Sequence, residues 1–172
     1  MKLKGKTIAV LVEQDYQEME VWYPTFRLRE EGATVKHVGT GSATEYKGKY
    51  GYPVKVDANA EQVNAAMLDG LVIPGGWAPD KLRMSGAVLK LTRDMFAAKK
   101  PVACICHGGW VLASADVVRG KHVTSYAAIQ DDMKHAGALW EDSEVVVDGN
   151  LVTSRKPDDL PAFMREFLKL FG

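Results

Sequence analysis

The chain has 172 residues, with 22 Lys+Arg against 22 Asp+Glu and a formal net charge of zero. A nucleic-acid partner calls for excess basic charge, and there is none; the hydrophobic and charged fractions, 47% and 26%, are those of an ordinary globular chain. No apolar run reaches the roughly 18 residues of a membrane span, no block of like charge marks a disordered tail, and the length suits one domain over 1–172.

Short apolar runs alternate with amphipathic stretches. Lys6–Val12 (KTIAVLV) is apolar and β-branched, the pattern of a strand buried on both faces. That stretch meets charge too soon for a signal peptide, and no cleavage site follows, so a cytoplasmic protein is expected. Glu20–Glu31 reads as a helix with Val21, Thr25 and Leu28 on one stripe and Gly32 as its stop. Pro24 falls near its first turn and removes the N–H that would bond the Glu20 carbonyl. Thr34–Val38 is a second strand. Glu45–Val56 (EYKGKYGYPVKV) reads as a hairpin off the main sheet.

Asp69–Ile73 is another buried strand and runs into Pro74-Gly75-Gly76. Val88, Leu91, Thr92 and Met95 set out a helix ending near Lys99. Pro101–Ile105 is the next strand, followed by Cys106-His107-Gly108-Gly109 and a short helix over Trp110–Ala115. Ile129, Met133 and Ala136 mark a further helix. Glu144–Val147 and Leu151–Ser154 flank the turn signal Asp148-Gly149-Asn150. The last helix carries Leu160, Phe163, Phe167 and Phe171, with Asp158 as its expected cap and Pro161 in its first turn. Such alternation predicts an α/β sandwich of three layers, with a mostly parallel sheet covered on both faces. A site in such a sheet lies outside the carboxyl ends of the strands.

The two cysteines, Cys104 and Cys106, are too close in sequence for an unstrained disulfide, so the chemistry of a free thiol is the question. Cys106 ends a buried strand just before a helix, which is the layout of a nucleophile elbow. The helix N-terminus and the glycines at 108 and 109 suit a thiolate and a close-approaching substrate. The alternative is a merely buried cysteine at a strand end, a common location for free Cys. Cys104, inside the apolar run, reads as an inert core residue. His107 is placed to act as general base or acid. Metal binding by Cys104-x-Cys106-His107 lacks both the usual spacing and a second ligand cluster, so neither metal nor cofactor is expected. Gly75 and Gly76 offer backbone N–H groups for an oxyanion, with a plain turn as the alternative. Glu20, early in the first helix, is within reach of the same sheet edge.

At these residues the chain resembles the PfpI intracellular cysteine protease family, within the Parkinson-disease-deglycase superfamily of class I glutamine-amidotransferase-like folds. The matching segments include EMEVWYP, GKYGYPVKVD, DGLVIPGGWAPDKLR, KPVACICHGGWVL and DDMKHAGALWED, in order and over nearly the whole chain. The resemblance implies a flavodoxin-like sandwich with Cys106 as elbow nucleophile, Glu20 against the thiol and His107 as catalytic histidine. It also implies Asp80 as an acidic partner reaching the histidine across a subunit interface. Tyr126 would line the pocket, and Gly75 and Gly76 would form the oxyanion turn. Dimers that assemble into hexamers are implied as well. The sequence departs from the family pattern at Gly109-Trp110, Trp77, Asp80 and Gln17. Trp77 and Trp110 are expected to roof the pocket, which favours a small carbonyl over folded protein as substrate. The expected activity is that of a cofactor-independent hydrolase or lyase on methylglyoxal-type carbonyls (glyoxalase or deglycase) in stress defence. The alternatives are a peptidase using Cys106, His107 and Asp80 on small peptides, and a non-enzymatic oxidative-stress sensor or chaperone. The balanced charge fits a near-neutral small substrate and a self-associating chain.

Overall fold

A computed structural model describes residues 1–172. Seven strands form the main sheet. They are β1 (Thr7–Leu11), β2 (Thr34–Gly39), β5 (Ala58–Asn59), β6 (Gly70–Ile73), β7 (Val102–Ile105), β10 (Val146–Asp148) and β11 (Leu151–Ser154). Their order is β10-β11-β7-β6-β1-β2-β5, and every neighbouring pair is parallel except β10 with β11. Helices α1 (Glu18–Glu30) and α6 (Leu160–Lys169) cover one face. Helices α2 (Ala78–Leu82), α3 (Gly86–Ala97), α4 (Gly109–Ala115) and α5 (Gln130–His135) lie on the other. This is the predicted flavodoxin-like three-layer sandwich. Coverage on both sides is why β1, β6 and β7 read as unbroken apolar runs rather than alternating ones.

Two smaller pairs stand apart from the main sheet. The hairpin β3 (Glu45–Lys47) with β4 (Pro53–Lys55) falls where the sequence placed it. The parallel pair β8 (His122–Val123) with β9 (Leu139–Trp140) has no sequence signal, because two residues are too few to show a period. The same holds for β5. Helix α2 follows the Pro74-Gly75-Gly76 turn without a sequence signal of its own; Pro79 sits within its first turn, where its missing N–H costs nothing.

Two helix starts differ from expectation. Helix α1 begins at Glu18, because the Gln17 side chain accepts from the Met19 N–H at 2.8 Å and caps it. Pro24 therefore sits in the interior of the helix rather than in its first turn. Asp158 does not cap α6. It lies in a 3₁₀ turn, Pro157–Asp159, which precedes the helix. The neighbouring Asp159 carboxylate is engaged by Arg155 at 2.9 and 3.1 Å instead.

Phe163 and Phe167 of α6 are fully enclosed against the sheet, and Phe167 meets Phe171 edge to face at 5.2 Å. Phe163→Ala is expected to lower unfolding stability by about 3–5 kcal/mol, the cost of an aromatic-sized cavity. Urea denaturation checks this; a loss below about 1 kcal/mol would mean that α6 is not locked to the sheet in this way.

Candidate active site

Strands β7, β6 and β1 are neighbours, so the residues that follow them meet at one sheet edge. Cys106 is the first residue beyond β7 and has φ of +62°. This left-handed conformation costs a residue with a Cβ roughly 1–2 kcal/mol. The turn is held tight from below: a Cβ at Gly108 would lie 2.7 Å from the Ile73 carbonyl oxygen and 2.9 Å from the Cys104 sulfur. The chain then passes through a 3₁₀ turn into α4. The strained residue, the sharp turn and the helix behind it make a nucleophile elbow.

The sulfur of Cys106 lies 3.3 Å from Nδ1 of His107. The backbone N–H groups of His107 and Gly76 favour ionisation of the thiol. Of the two N–H groups expected to meet an oxyanion, that of Gly75 is engaged within the chain: it donates to Oε2 of Glu20 at 2.7 Å. Gly75 serves instead to orient the carboxyl group. There is no room for a side chain at 75, since a Cβ would approach Glu20 Oε2 to 2.6 Å and the Cys106 Cβ to 2.8 Å.

Glu20, in the first turn of α1, is 0% exposed. Its Oε1 has no partner of ordinary hydrogen-bond geometry, and the Cys106 thiol faces the carboxyl group. Burial pushes Glu20 up to about 7, against the opposing pull of the Gly75 N–H, the thiol and the Lys49 ammonium. Burial and the Glu20 charge also push the Cys106 thiol up, against the N–H groups of His107 and Gly76. Protonating Glu20 removes the repulsive part of that rise and turns the carboxyl into a donor toward the sulfur. Cys106 is 7% exposed. The sulfur is thus largely shielded from solvent. Cys104 is buried and pushed well up, an inert core thiol as expected.

His107 is held below the ordinary imidazole value by burial and by Lys49, which favours the uncharged ring. Three aromatic rings fix it: Tyr126 stacked at 4.8 Å, Trp77 at 5.3 Å and Trp110 at 5.2 Å. A pocket of about 270 Å³ opens over the sulfur and is lined by Glu20, His107, Trp77, Tyr126, Lys49 and Pro157 among others. Trp77 and Tyr126 are 53% and 40% exposed, so they form its outer wall. Trp110 is no part of that wall. It packs on His107, and its Nε1 donates to Asp132 at 3.0 Å. The expected two-tryptophan roof is therefore one tryptophan. Asp80, in α2, is exposed and lies outside this pocket within the chain.

Lys49 and Pro157 were not singled out in the sequence. Lys49 sits in the β3–β4 turn and Pro157 just before α6, each far in sequence from the elbow. Only the parallel crossovers bring them to the same sheet edge.

An elbow cysteine paired with an adjacent histidine and a buried carboxyl, at the carboxyl edge of a doubly covered parallel sheet, defines an α/β protein of the cysteine-nucleophile class. Residues 6–170 match the DJ-1/PfpI family, and the chain belongs to that family. It is 47% identical over 163 residues to deglycase PH1704 of Pyrococcus horikoshii, covering 95% of this chain and 98% of the relative. It is 44% identical to protein/nucleic acid deglycase 2 of Escherichia coli, over 98% of this chain and 99% of that one. Among solved structures, a two-domain protein of Anabaena variabilis with DJ-1/ThiJ/PfpI-like and ferritin-like domains superposes with a TM-score of 0.93 at 39% identity. That match covers 95% of this chain and 47% of the two-domain chain.

The Glu20 environment has a measurable consequence for stability. Its folded value is raised from the ordinary 4.5 to about 7, so between those values the native state holds a proton that the unfolded chain releases. The contribution is fully present below pH 4.5 and is lost as pH rises through about 7, a fall of roughly 3 kcal/mol. Glu20→Gln is expected to abolish that decline. Unfolding free energies at pH 5 and pH 8 for both proteins test it; parallel pH slopes would place the carboxyl in a water-like setting.

Proposed function

We propose that this protein is a cofactor-independent cysteine enzyme that acts on small reactive carbonyls, as a deglycase or glyoxalase. The observation that carries the reading is the arrangement at Cys106: a strained elbow thiol with an imidazole nitrogen at 3.3 Å and a buried carboxyl opposite. The deglycase names of its relatives support the same chemistry.

The steps follow from the geometry. His107 takes the Cys106 proton through Nδ1. The thiolate attacks the aldehyde carbon of methylglyoxal, the carbonyl π bond breaks toward oxygen, and the N–H groups of Gly76 and His107 receive the oxyanion. Return of the proton gives a hemithioacetal. His107 then removes the hydrogen on the carbon bearing sulfur, while protonated Glu20 serves as acid toward the neighbouring carbonyl. His107 returns its proton to that neighbouring carbon while the hydroxyl on the sulfur-bearing carbon gives its proton back to Glu20, which leaves a 2-hydroxy thioester. Water cleaves the C–S bond, giving lactate and the free thiol, so the sum is methylglyoxal plus water to lactate. Hemithioacetal and aminocarbinol adducts of methylglyoxal enter the same sequence once the adduct carbon expels its thiol or amine and regenerates the aldehyde; the freed thiol or amine and lactate are the products of deglycation.

The peptidase alternative needs a third member beside Cys106 and His107. Asp80 is exposed and lies outside the pocket of its own chain, which suits a role toward His107 of a second subunit. A homo-oligomer, dimeric or hexameric, and a cytoplasmic setting in stress defence belong to this proposal. No helix is long and apolar enough to cross a membrane.

Cys106→Ser is expected to lower lactate formation from methylglyoxal by roughly a thousandfold or more, because the alkoxide precursor is a far weaker nucleophile than the thiolate. Enzymatic lactate determination checks it. A variant that keeps the wild-type rate, or a wild-type protein that makes no lactate, contradicts the proposal. Asp80→Asn is expected to leave that rate within about threefold while lowering cleavage of fluorogenic peptides, if the peptides are cut at all.

A further inference from the structure

The zero net charge of the chain conceals a local imbalance in the pocket. Lys49 lies in the turn between β3 and β4, and that turn is tied down at several points. The Lys49 N–H donates to the Tyr16 carbonyl at 2.9 Å, and the Gly48 N–H donates to the Tyr52 carbonyl at 2.9 Å. The Tyr50 N–H donates to Glu18 Oε1 at 2.6 Å, and the Asp15 N–H donates to the Lys47 carbonyl at 2.8 Å. The base of the Lys49 side chain is therefore fixed relative to the segment that leads into α1. Its Nζ lies over the Trp77 ring, 5.3 Å from the centroid, and lines the same pocket as Cys106 and His107.

Lys49 makes no salt bridge, whereas the ammonium groups of Lys6, Lys90 and Lys169 each meet a carboxylate within 4 Å. The aromatic face below it offers the weak attraction of a cation–π contact and leaves its N–H donors free. Its field already reaches the site, since it favours ionised Glu20 and neutral His107. The Glu20 carboxyl of the same pocket is already committed to Gly75 and faces the thiol.

We infer that Lys49 is a specificity-determining residue, which selects carbonyl substrates carrying a negatively charged group, carboxylate or phosphate, a bond or a few beyond the carbon attacked by Cys106. The inference rests on the carbonyl chemistry proposed above and names the substrate class within it. With the carbonyl carbon bonded to Sγ and its oxygen toward Gly76 and His107, the remainder of a small substrate projects past Trp77 to the ammonium. A neutral dicarbonyl leaves that cation unused. An anionic one pairs with it in a half-dry pocket, where charge attraction is stronger than in water.

Alkylation of Cys106 isolates this effect from turnover. Iodoacetate and iodoacetamide both react by attack of the same thiolate on a methylene carbon, with an S–C bond formed and iodide expelled; they differ in a carboxylate against an amide. The ratio of their rates is therefore insensitive to how much thiolate is present, and Cys104 is too buried to compete. Lys49→Ala is expected to lower the iodoacetate-to-iodoacetamide ratio by about five- to tenfold. Lys49→Arg should keep it, and added salt should lower it in the wild type. Peptide mass spectrometry of Cys106 gives both rates.

Protection of Cys106 from iodoacetamide by glyoxylate, glyceraldehyde 3-phosphate and neutral glycolaldehyde, each adding reversibly to the thiolate, separates carboxylate from phosphate. An equal ratio in wild type and Lys49→Ala, or protection by glycolaldehyde as strong as by both anions, would overturn the inference. A Lys49-dependent ratio in a protein that forms no lactate upholds it while removing the turnover reading. A Cys106 that neither reagent modifies removes both.

Discussion

Glu20 is a carboxyl group enclosed where an unpaired negative charge is expensive, and the surrounding structure is arranged around that fact. One oxygen is satisfied by the Gly75 N–H, and the other is left facing a thiol. For this to be possible, α1 must deliver its first turn to the end of β6, and residue 75 must lack a side chain. Cys106 must also turn its sulfur back over the sheet edge by adopting a left-handed backbone. Two acidic groups then face one another in a dry space, where the charge of either disfavours ionisation of the other. Burial alone makes an inert thiol, as at Cys104. Burial beside a carboxyl that is half protonated near neutrality, with two N–H groups on the sulfur, makes one that is released when a proton moves.

The aromatic groups act on the other side of the sulfur. Tyr126, Trp77 and Trp110 hold the His107 ring, and Asp132 in turn holds Trp110. A base whose orientation is set by packing does not have to be ordered at each turnover. The pocket that remains is small and has one wall open to solvent, which fits carbonyl compounds of a few carbons better than folded chains.

Much of this was legible in the sequence because the informative elements are long and apolar. The strands at Lys6–Val12, Asp69–Ile73 and Pro101–Ile105 cannot be exposed, and glycines shortly after the last two mark where the chain leaves the sheet. Cys106, His107 and Glu20 followed from that edge, and the family resemblance supplied Asp80 and Tyr126. What was hidden depends on contacts between distant segments. No local pattern tells that the Gly75 N–H is taken by Glu20. Nor does any pattern separate Trp77, which walls the pocket, from Trp110, which braces the imidazole. Lys49 was one of several alternating lysines in a hairpin until the Tyr16 and Glu18 contacts placed it at the pocket. Asp158 was chosen as a cap over its neighbour by type and position alone, and Arg155 decided the matter differently.

The central claim is that Glu20 is a carboxylic acid with a titration midpoint displaced by burial beside Cys106. Infrared difference spectroscopy of the protonated carboxyl stretch, with Glu20→Gln as the reference that lacks it, reads this group alone. The account predicts a band that disappears with a midpoint at about 7. A band already lost at a midpoint near 4.5, as for a carboxyl in water, would contradict it.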